Sequence, residues 1–437
     1  MDYDFHYYGT KTAALLAGWS AEEAEEIAEA ALFIDYCDWK NFGYDIDGNG
    51  KYVVYTAQFN DLYTNTDLKA DPSIWVPFHF LPGNYNYHNA DPNFRTRNTK
   101  DSLDKVSGSL CRPYSYLALK MIDHTRDVIN QHKLTGKAKT YWIGARMHIL
   151  ADTWAHQDFS GLSDSELNNI AGDIEFFDYK EKRFLDLTQW PMFTKEDTKA
   201  SPNMLSSVGH GNAGHLPDIS WGQYRYRPNW ANENVVLFRD NRVKFREAFM
   251  KLTEVLYFLR TGHRPDVFVR DNREDKWGIS QNICSILYLG GRRGTAIVIP
   301  QRIMEIINTP QQLGSGPESC FSSTARLWHD YLKSKGITNN VERTGNNQTD
   351  WERALIDKYK NGITKERWKS GFANLLSFGT YQTAQIVPKS DFEYFQAAAG
   401  SHLLWAIQEM SKIPQLNETV KQVKEGWMYK NAWSIKQ

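Results

Sequence analysis

The sequence predicts a mainly helical protein with small β excursions in its first half and a helical C-terminal region. Three observations predict it: long windows with apolar residues at helical spacing, a capping box ahead of the first window, and short β-rich segments bounded by turn formers. With 437 residues, of which 41% are hydrophobic, the chain can bury a sizeable core.

The first helix is predicted from Ser20 to about Trp39. Ser20 is a suitable N-cap, and Glu23 three residues later completes a capping box. Asp35 falls four residues after Ala31 and therefore projects from the apolar stripe, where an isolated carboxylate is costly to desolvate. We expect a cation or a strong hydrogen-bond donor opposite Asp35.

The rest of the chain is predicted as follows. Small β segments are expected at 51–58 and 73–81, followed by helices from about 113 to 129, 139 to 158 and 243 to 260. The stretch 160–234 is predicted to mix short helices with long loops, and 289–300 to form a glycine turn that leads into a strand. Further helices are predicted near 317–335, 349–360, 364–378, 390–413 and 416–428.

The predicted organisation has three parts. A metal-binding catalytic region is expected at 1–265, a connecting segment with the glycine turn and strand at 266–316, and a helical accessory region at 317–437. In the last region, His329 and His402 lie far apart in separate helical blocks, which favours ordinary packing.

Composition excludes several classes of partner. The formal net charge of -1 leaves no surplus of Lys and Arg, so nucleic acid is not expected as a partner. No apolar run is long enough to predict a transmembrane segment, and the N-terminus does not resemble a signal peptide. The predicted location is cytoplasmic, or outside the producing cell after export without a cleaved signal. The four scattered cysteines indicate neither a thiolate zinc site nor a disulfide framework.

The strongest candidate site is a stripe on the helix predicted at 139–158. His148, Asp152 and His156 stand at i, i+4 and i+8, so they share one helical face and can reach the same ion or two adjacent ions. The alternative interpretations are a surface stripe with ordinary His-Asp hydrogen bonds, or a histidine satisfied in the core.

A glycine-rich loop provides a second group. His210, His215 and Asp218 lie within nine residues, and the intervening glycines let a loop fold tightly around an ion. A polar surface loop is the alternative. Further ligands are expected from His6, from Asp35 and from His79, which is about equally well explained as a packed core histidine.

The chemistry predicted from these residues is activation of water by metal ions. The sequence has no GxSxG elbow and no cysteine in a diagnostic setting, so nothing supports a nucleophilic mechanism. Clustered cations lower the pKa of a bridging water and stabilise the oxygens of a phosphoryl centre. We therefore expect a hydrolase with two or three divalent ions, zinc being the expected metal.

Several motifs resemble a group of bacterial zinc metallophospholipases C. These are Asp-Phe-His6-Tyr-Tyr-Gly-Thr, the Ala-rich helix ending in Phe-Ile-Asp35, His148-xxx-Asp152-xxx-His156 and His215-Leu-Pro-Asp218. The resemblance covers roughly residues 2–225, and the group includes secreted and host-delivered enzymes.

The resemblance implies a largely helical fold, bound zinc, and hydrolysis of a phospholipid such as phosphatidylcholine, at a membrane surface, to diacylglycerol and the phosphorylated headgroup. Asp152 would bridge two ions, and Asp35 would act as a ligand or a general base. The implied ligands are His6, Asp35, His148, Asp152 and His156, with His210, His215 and Asp218 closing the site.

Two other classes remain open. One is a metal-dependent phosphohydrolase or nuclease that acts on nucleotides or nucleic acid, since fold analogy does not fix the substrate. The other is a non-catalytic helical protein whose zinc sites are structural and closed by four protein ligands.

Overall fold

The structure, a computed structural model, describes residues 1–47, 51–58, 70–85, 99–170, 174–186, 208–232, 235–269, 296–310, 317–337, 348–365 and 382–433. Within these residues the protein is mainly helical with small sheets, as the sequence predicts. Among them, no helix combines the length and the apolar character that a membrane span requires.

A π-helix, Asp4–Gly9, opens the chain. The α-helices of the described residues, numbered in chain order, are α1 (Thr10–Leu16), α2 (Ala21–Phe33), α3 (Trp39–Phe42), α4 (Pro72–Phe78), α5 (Tyr116–Gln131), α6 (Gly136–Ala155), α7 (Ser165–Asn168), α8 (Asn241–Thr261), α9 (Gln301–Asn308), α10 (Pro317–Ser334), α11 (Gln348–Lys360), α12 (Asp391–Met410), α13 (Asn417–Glu425) and α14 (Trp427–Trp433).

The strands are short and belong to three sheets. They are β1 (Tyr44–Ile46), β2 (Lys51–Tyr52), β3 (Glu175–Asp178), β4 (Arg183–Asp186), β5 (Gln223–Tyr226), β6 (Leu237–Asp240), β7 (Asp266–Val269), β8 (Ala296–Ile299), β9 (Ile363–Lys365) and β10 (Gln382–Ile386). The sheet orders are β2-β1-β10-β9, β4-β3-β5-β6 and β7-β8. β1 pairs with β10 in parallel, so the first sheet joins distant parts of the chain.

Helix α6 lies at the centre of the molecule. Every residue from Thr140 to Ala155 is buried, and α2, α5, α8 and α12 all pack against this helix. A helix that is buried on all faces has no amphipathic pattern. Polar side chains on α6 therefore lie in the interior and need partners there.

Gly144 allows an unusually close approach of α2 to α6. A Cβ atom at this position would lie 2.4 Å from the backbone oxygen of Ile27, so no larger residue fits without moving a helix. Gly144 precedes His148 by one helical turn and shares its face. The contact therefore brings the C-terminal end of α2, which leads to Asp35, towards the middle of α6.

The helix predicted to begin at Ser20 is confirmed as α2, but it is not the first, because the π-helix and α1 precede it. The Ser20 side chain accepts a hydrogen bond from the backbone N–H of Glu23, and the Glu23 side chain accepts one from the backbone of Ser20. The helix ends at Phe33, however, earlier than predicted. Asp38 caps a new short helix by accepting from the backbone N–H of Asn41, which explains the break before Trp39.

The prediction of a β segment at 73–81 is wrong, because this stretch forms α4. Asp71 is the N-cap and its carboxylate accepts a hydrogen bond from the backbone N–H of Ser73, while Pro72 occupies the first helical position. The β-branched and aromatic residues that suggested a strand are instead buried on a helix. The β segment predicted at 51–58 reduces to β2.

The stretch 160–234 also differs from its prediction. It contains α7, as expected, but also strands β3, β4 and β5 of a four-stranded antiparallel sheet. Each strand has only four residues, and the pairing of β5 with β6 joins 223–226 to 237–240. Strands this short leave a weak period-2 signal in a sequence.

Most later predictions are confirmed. A strand ends at Ile299, and helices occupy the blocks predicted near 317, 349, 390 and 416. In the block predicted as a helix at 364–378, residues 363–365 form a strand; residues 366–378, like the glycine turn at 289–295, lie outside the described residues.

The helices after residue 317 pack directly on the first half of the chain. Helix α12 contacts α6, and Nε2 of His402 donates a hydrogen bond to the backbone oxygen of Pro77 at 2.8 Å. One hydrophobic cluster extends from Met1 to Met428. The division into a catalytic and an accessory region stays a prediction.

Candidate metal centre

Helix α6 supplies the innermost side chains of a polar cluster. His148 is fully buried and Asp152 is 1% exposed, and Nε2 of His148 lies 3.1 Å from Oδ2 of Asp152. His156 is the C-cap residue of α6, with Nδ1 3.5 Å from the same carboxylate oxygen. The helical stripe predicted from the sequence is therefore interior, not a surface stripe.

The amino-terminal segment places the ring of His6 and the α-amino group of Met1 beside Asp152. The ring of His6, on the π-helix, stacks on that of His148 with centroids 3.8 Å apart, and its Nε2 lies 3.1 Å from Oδ1 of Asp152. The α-amino group of Met1 lies 2.7 Å from Oδ1 of Asp152 and 3.1 Å from Oδ1 of Asp218. Both carboxylates thus face one central point.

Asp35 approaches from the turn that follows α2. Its Oδ1 lies 3.6 Å from Nε2 of His148 and 3.8 Å from Nδ1 of His79. The side chain is 31% exposed, whereas those of His148 and Asp152 are almost fully buried. Asp35 therefore lies where the cluster meets solvent.

His79 joins the cluster from the C-cap of α4. Its Nδ1 lies 3.4 Å from both Oδ2 of Asp152 and Nε2 of His148. Its Nε2 donates a hydrogen bond to the backbone oxygen of Thr56 at 2.7 Å. The sequence left open whether His79 is a ligand or a packed core histidine. Its side chain is buried, and one ring nitrogen faces the cluster.

A neighbouring group contains His156, His210 and Asp218. The two carboxylate oxygens of Asp218 face Nε2 of His156 at 3.4 Å and Nε2 of His210 at 3.3 Å. Phe80 stacks on the ring of His156 with centroids 4.5 Å apart. Gly209, at φ +57°, leaves the space that the Phe80 ring fills.

Backbone carbonyls fix the orientation of three of these imidazoles. His79 donates from Nε2 to Thr56, as described, while Nδ1 of His156 donates to the oxygen of His79 and Nδ1 of His210 to that of Gly214, each at 2.8 Å. A neutral imidazole that donates from one nitrogen has a lone pair on the other. In each case that lone pair points into the cluster, the arrangement typical of metal-binding histidines.

Burial favours the neutral form of three of these histidines. Burial lowers the pKa of His6 and of His210 to about 4, and burial together with the nearby His6 lowers the pKa of His148 well below its usual value. Neutral imidazole is the form that coordinates a metal.

The negative charges of Asp152 and Asp218 favour the binding of cations in the cluster. Burial alone would raise the pKa of Asp152 and of Asp218, but the neighbouring histidines and the amino group of Met1 hold both well below the usual value. Burial would likewise lower the pKa of the Met1 amino group, yet these two carboxylates raise it to about 11. Burial and the nearby Asp152 raise the pKa of Asp35.

Several buried polar atoms in the cluster have no hydrogen-bond partner. They include both ring nitrogens of His6, Nδ1 of His148 and Oδ1 of Asp218. Nε2 of His6 is close to Asp152 but not aligned for a hydrogen bond. Buried polar atoms without partners are costly, and a bound cation is a ligand that would satisfy acceptors of this kind.

Three groups within the cluster could hold a metal ion: His6, Asp35 and His148; His79, His148 and Asp152; and His156, His210 and Asp218. In each group the ligand atoms lie within 4.8 Å of one another. The structure thus brings together eight of the nine residues singled out in the sequence. It does not bring in His215, which is exposed with its ring against Phe321.

Sequence reasoning missed the central position of the Met1 amino group, because the side-chain patterns do not report a backbone amine. It also missed Phe80 as the support of His156. Asp4 was visible only as an acid near His6; it is buried, and its Oδ1 has no hydrogen-bond partner.

The fold and the cluster define a mainly helical protein with a buried His/Asp centre that could hold metal ions. The chain belongs to a family of unknown function (DUF6765), whose model matches residues 1–410. The match includes all the cluster residues and most of the C-terminal helices. No curated protein and no solved structure matches the chain.

Proposed function

We propose that this protein is a zinc-dependent phosphoric ester hydrolase of the phospholipase C type. Its substrate would be a glycerophospholipid such as phosphatidylcholine, which it would split into diacylglycerol and the phosphorylated headgroup. The observation that carries the proposal is the position of Asp152, whose two oxygens lie within 3.4 Å of ring nitrogens of His6, His79 and His148. A carboxylate in this position can bridge two adjacent ions.

The donor set favours zinc. The three groups offer imidazole nitrogens and carboxylate oxygens, with two nitrogens and one oxygen in each. Such mixed sets suit zinc, whereas calcium and magnesium prefer oxygen ligands alone. Clustered zinc ions would supply an activated water and stabilise charge on the phosphoryl oxygens.

The exposure of the ligands indicates where a substrate would enter. Asp35 is 31% exposed and His210 is 17% exposed, while the side chains of the other ligand residues are at most 8% exposed. Asp35 can therefore contact a substrate or a water molecule as well as an ion. It would serve as a ligand or as the general base that takes the proton from the attacking water.

The buried residues would hold the reacting groups in a fixed geometry. The stacked rings of His6 and His148 and the carbonyl-bound His79 and His156 have little freedom to rotate. Fixed ligands of this kind position an attacking water without reorganisation during the reaction. Each of the three groups also contains three ligand-type residues, one fewer than the four protein ligands of a closed structural zinc site.

The test combines metal analysis with hydrolysis assays on the purified full chain. We expect stoichiometric zinc and release of phosphorylated headgroup from phosphatidylcholine vesicles. His148→Ala and Asp152→Ala should lose both zinc and activity while keeping the helical circular dichroism spectrum. His215→Ala is the matched control, because this histidine lies outside the cluster, and it should keep both.

Two results would overturn the proposal. Stoichiometric metal in both the His148 and the Asp152 variants would mean that the cluster is not the metal site. Metal-dependent turnover of nucleotides or single-stranded DNA, without headgroup release, would instead assign the protein to the phosphohydrolases that act on nucleotides or nucleic acid.

A further inference from the structure

Arg146 lies on α6 on the opposite face from the metal ligands, since two residues along a helix rotate the side chain by roughly 200° from His148. Its side chain is fully buried. The guanidinium carbon lies 4.4 Å from the ring centroid of Trp142 and 4.5 Å from that of Trp405, so the group lies between two indole rings. Helices α5 and α12 close this region.

The N–H donors of the guanidinium have only long hydrogen bonds or none. One terminal nitrogen donates to the backbone oxygen of Met121 at 3.4 Å and the other to Nδ1 of His124 at 3.3 Å, both long for hydrogen bonds. The Nε–H group has no partner. Among the described residues, no carboxylate contacts Arg146, although a buried arginine normally pairs with one.

A second buried donor lies beside it. Nε1 of Trp405 has no hydrogen-bond partner, and the ring that carries it contacts the guanidinium. Indole and guanidinium N–H groups can only donate hydrogen bonds. Two donors that need an acceptor therefore occur in one small buried region.

Lys120 and Lys412 add positive charge around the guanidinium, although Lys412 is paired with Glu409 at 2.6 Å. His124 stacks on Trp405, with ring centroids 5.4 Å apart, and accepts from Arg146. Burial first, and then Arg146, Lys120 and Lys412, lower the pKa of His124 to about 4. Positive potential together with unsatisfied donors is the chemistry that recognises an anion.

We propose that Arg146 and Trp405 form a binding site for a small inorganic anion of the size of chloride. The anion would accept hydrogen bonds from Nε–H of Arg146 and Nε1–H of Trp405 and neutralise the buried guanidinium. It would join α6 to α12 behind the metal centre. The site uses none of the proposed metal ligands, so it does not depend on the proposed function.

A water molecule is the competing occupant. Nδ1 of His402, on α12, also lacks a partner, and its Nε2 already donates to the backbone oxygen of Pro77. A water could accept from the two donors and donate to Nδ1 of His402, without any charge. The two occupants differ in one measurable way, because only an anion makes stability depend on the halide present.

The test measures the melting temperature of the full chain in sodium chloride and in sodium gluconate at equal ionic strength. A ligand that binds only the folded state raises the melting temperature with its concentration. We expect a rise of a few degrees in chloride. Trp405→Phe, which keeps an aromatic face but removes the donor, should reduce this rise, and Arg146→Met should abolish it.

The matched control is Arg126→Met. Arg126 also lies over an aromatic ring, that of Phe258, and donates a hydrogen bond to the backbone oxygen of Phe258. This contact is separate from the one between Arg146 and Trp405. The chloride effect should persist in this variant and in His148→Ala, which separates it from the metal centre. Crystals soaked in bromide should show anomalous scattering beside Nε of Arg146 and Nε1 of Trp405.

Equal melting temperatures in the two salts, with no bromide beside Arg146, would overturn the proposal in favour of water. If Arg146→Met does not fold, Trp405→Phe decides: a chloride effect of unchanged size in that variant would also contradict an anion held by these two donors.

Discussion

The two faces of α6 bury charges of opposite sign. On one face, Asp152 and its histidines surround a point that attracts cations, and the amino group of Met1 already lies there. On the other face, Arg146 is buried between two indole rings without a carboxylate contact among the described residues. Because burying an uncompensated charge is costly, we propose a ligand for each face: metal ions beside two carboxylates that the single amino group of Met1 compensates only in part, and an anion beside Arg146.

The largest effect is expected from Asp152→Asn, which keeps the shape of the side chain but removes its charge. The cluster should lose its metal, and hydrolysis should fall by more than about 100-fold, because a ligand to two ions contributes more than an outer-shell partner. Metal content and initial rates measure this.

The chloride effect on the melting temperature should stay unchanged in the same variant, since Arg146 lies on the other face. Asp178→Asn is the control, because that carboxylate only accepts hydrogen bonds from the backbone of the turn at Lys180 and Glu181. Full hydrolytic activity in Asp152→Asn would contradict a metal centre on this face of α6.

Gly144→Ala tests how α2 brings Asp35 to the metal-binding face. The added Cβ would lie 2.4 Å from the backbone oxygen of Ile27, and a backbone atom cannot rotate away. We expect the free energy of unfolding to fall by about 3 kcal/mol. The affinity for zinc of the group with Asp35 and His148 should fall more than that of the group with His156, as titration with a zinc-sensitive dye would show.

Equal weakening of all bound zinc would mean that the three groups respond as one unit. An unchanged free energy of unfolding would instead contradict the close contact between α2 and α6.

Gly209→Ala addresses the group formed by His156, His210 and Asp218. The new Cβ would lie 2.2 Å from the Phe80 ring, and φ at this position is +57°. The ring can shift, so we expect a loss of about 2 kcal/mol, of which about half comes from the left-handed backbone. Displacing Phe80 should loosen His156 and weaken zinc binding there.

Gly336→Ala is the control for this backbone strain. Its φ is +74°, and a Cβ would meet no atom within 4 Å. It should cost about 1 kcal/mol and leave zinc binding unchanged. If both variants behave alike, the contact with Phe80 plays no part in the site.

The contrast between the two faces also explains what the sequence could predict. The stripe His148, Asp152 and His156 was visible because spacing on one helix is a local property. The involvement of His6 and Asp35 depended on chemical type and on an acid in an apolar stripe. Residue type can propose such long-range partners, but only the folded chain shows that they meet.

Other features had no local signal. Trp142 stands one helical turn before Arg146, but nothing in the sequence indicates the second indole ring, which comes from α12 more than 200 residues later. His215 and His210 look alike in the glycine-rich loop, yet only His210 turns inward, with Nδ1 bonded to the oxygen of Gly214. The β-branched and aromatic residues of 73–81 predicted a strand, but the N-cap at Asp71 stabilises a helix there.

The smallest effect is expected at the other end of α2. Ser20→Ala removes the capping box, in which Ser20 and Glu23 exchange hydrogen bonds between side chain and backbone. These residues are exposed, so the free energy of unfolding should fall by only about 1 kcal/mol. Ser20→Asp, which keeps an N-cap acceptor, should restore most of the loss in urea denaturation.

Zinc content should not change in Ser20→Ala, because the position of Asp35 depends on the contact at Gly144 near the C-terminal half of α2 and not on its first turn. A parallel loss of zinc would show that the whole of α2 sets the geometry of the cluster. In that case the weakening of zinc binding in the Gly144 variant would reflect the general stability of α2, and the local contact with α6 would have no separate role.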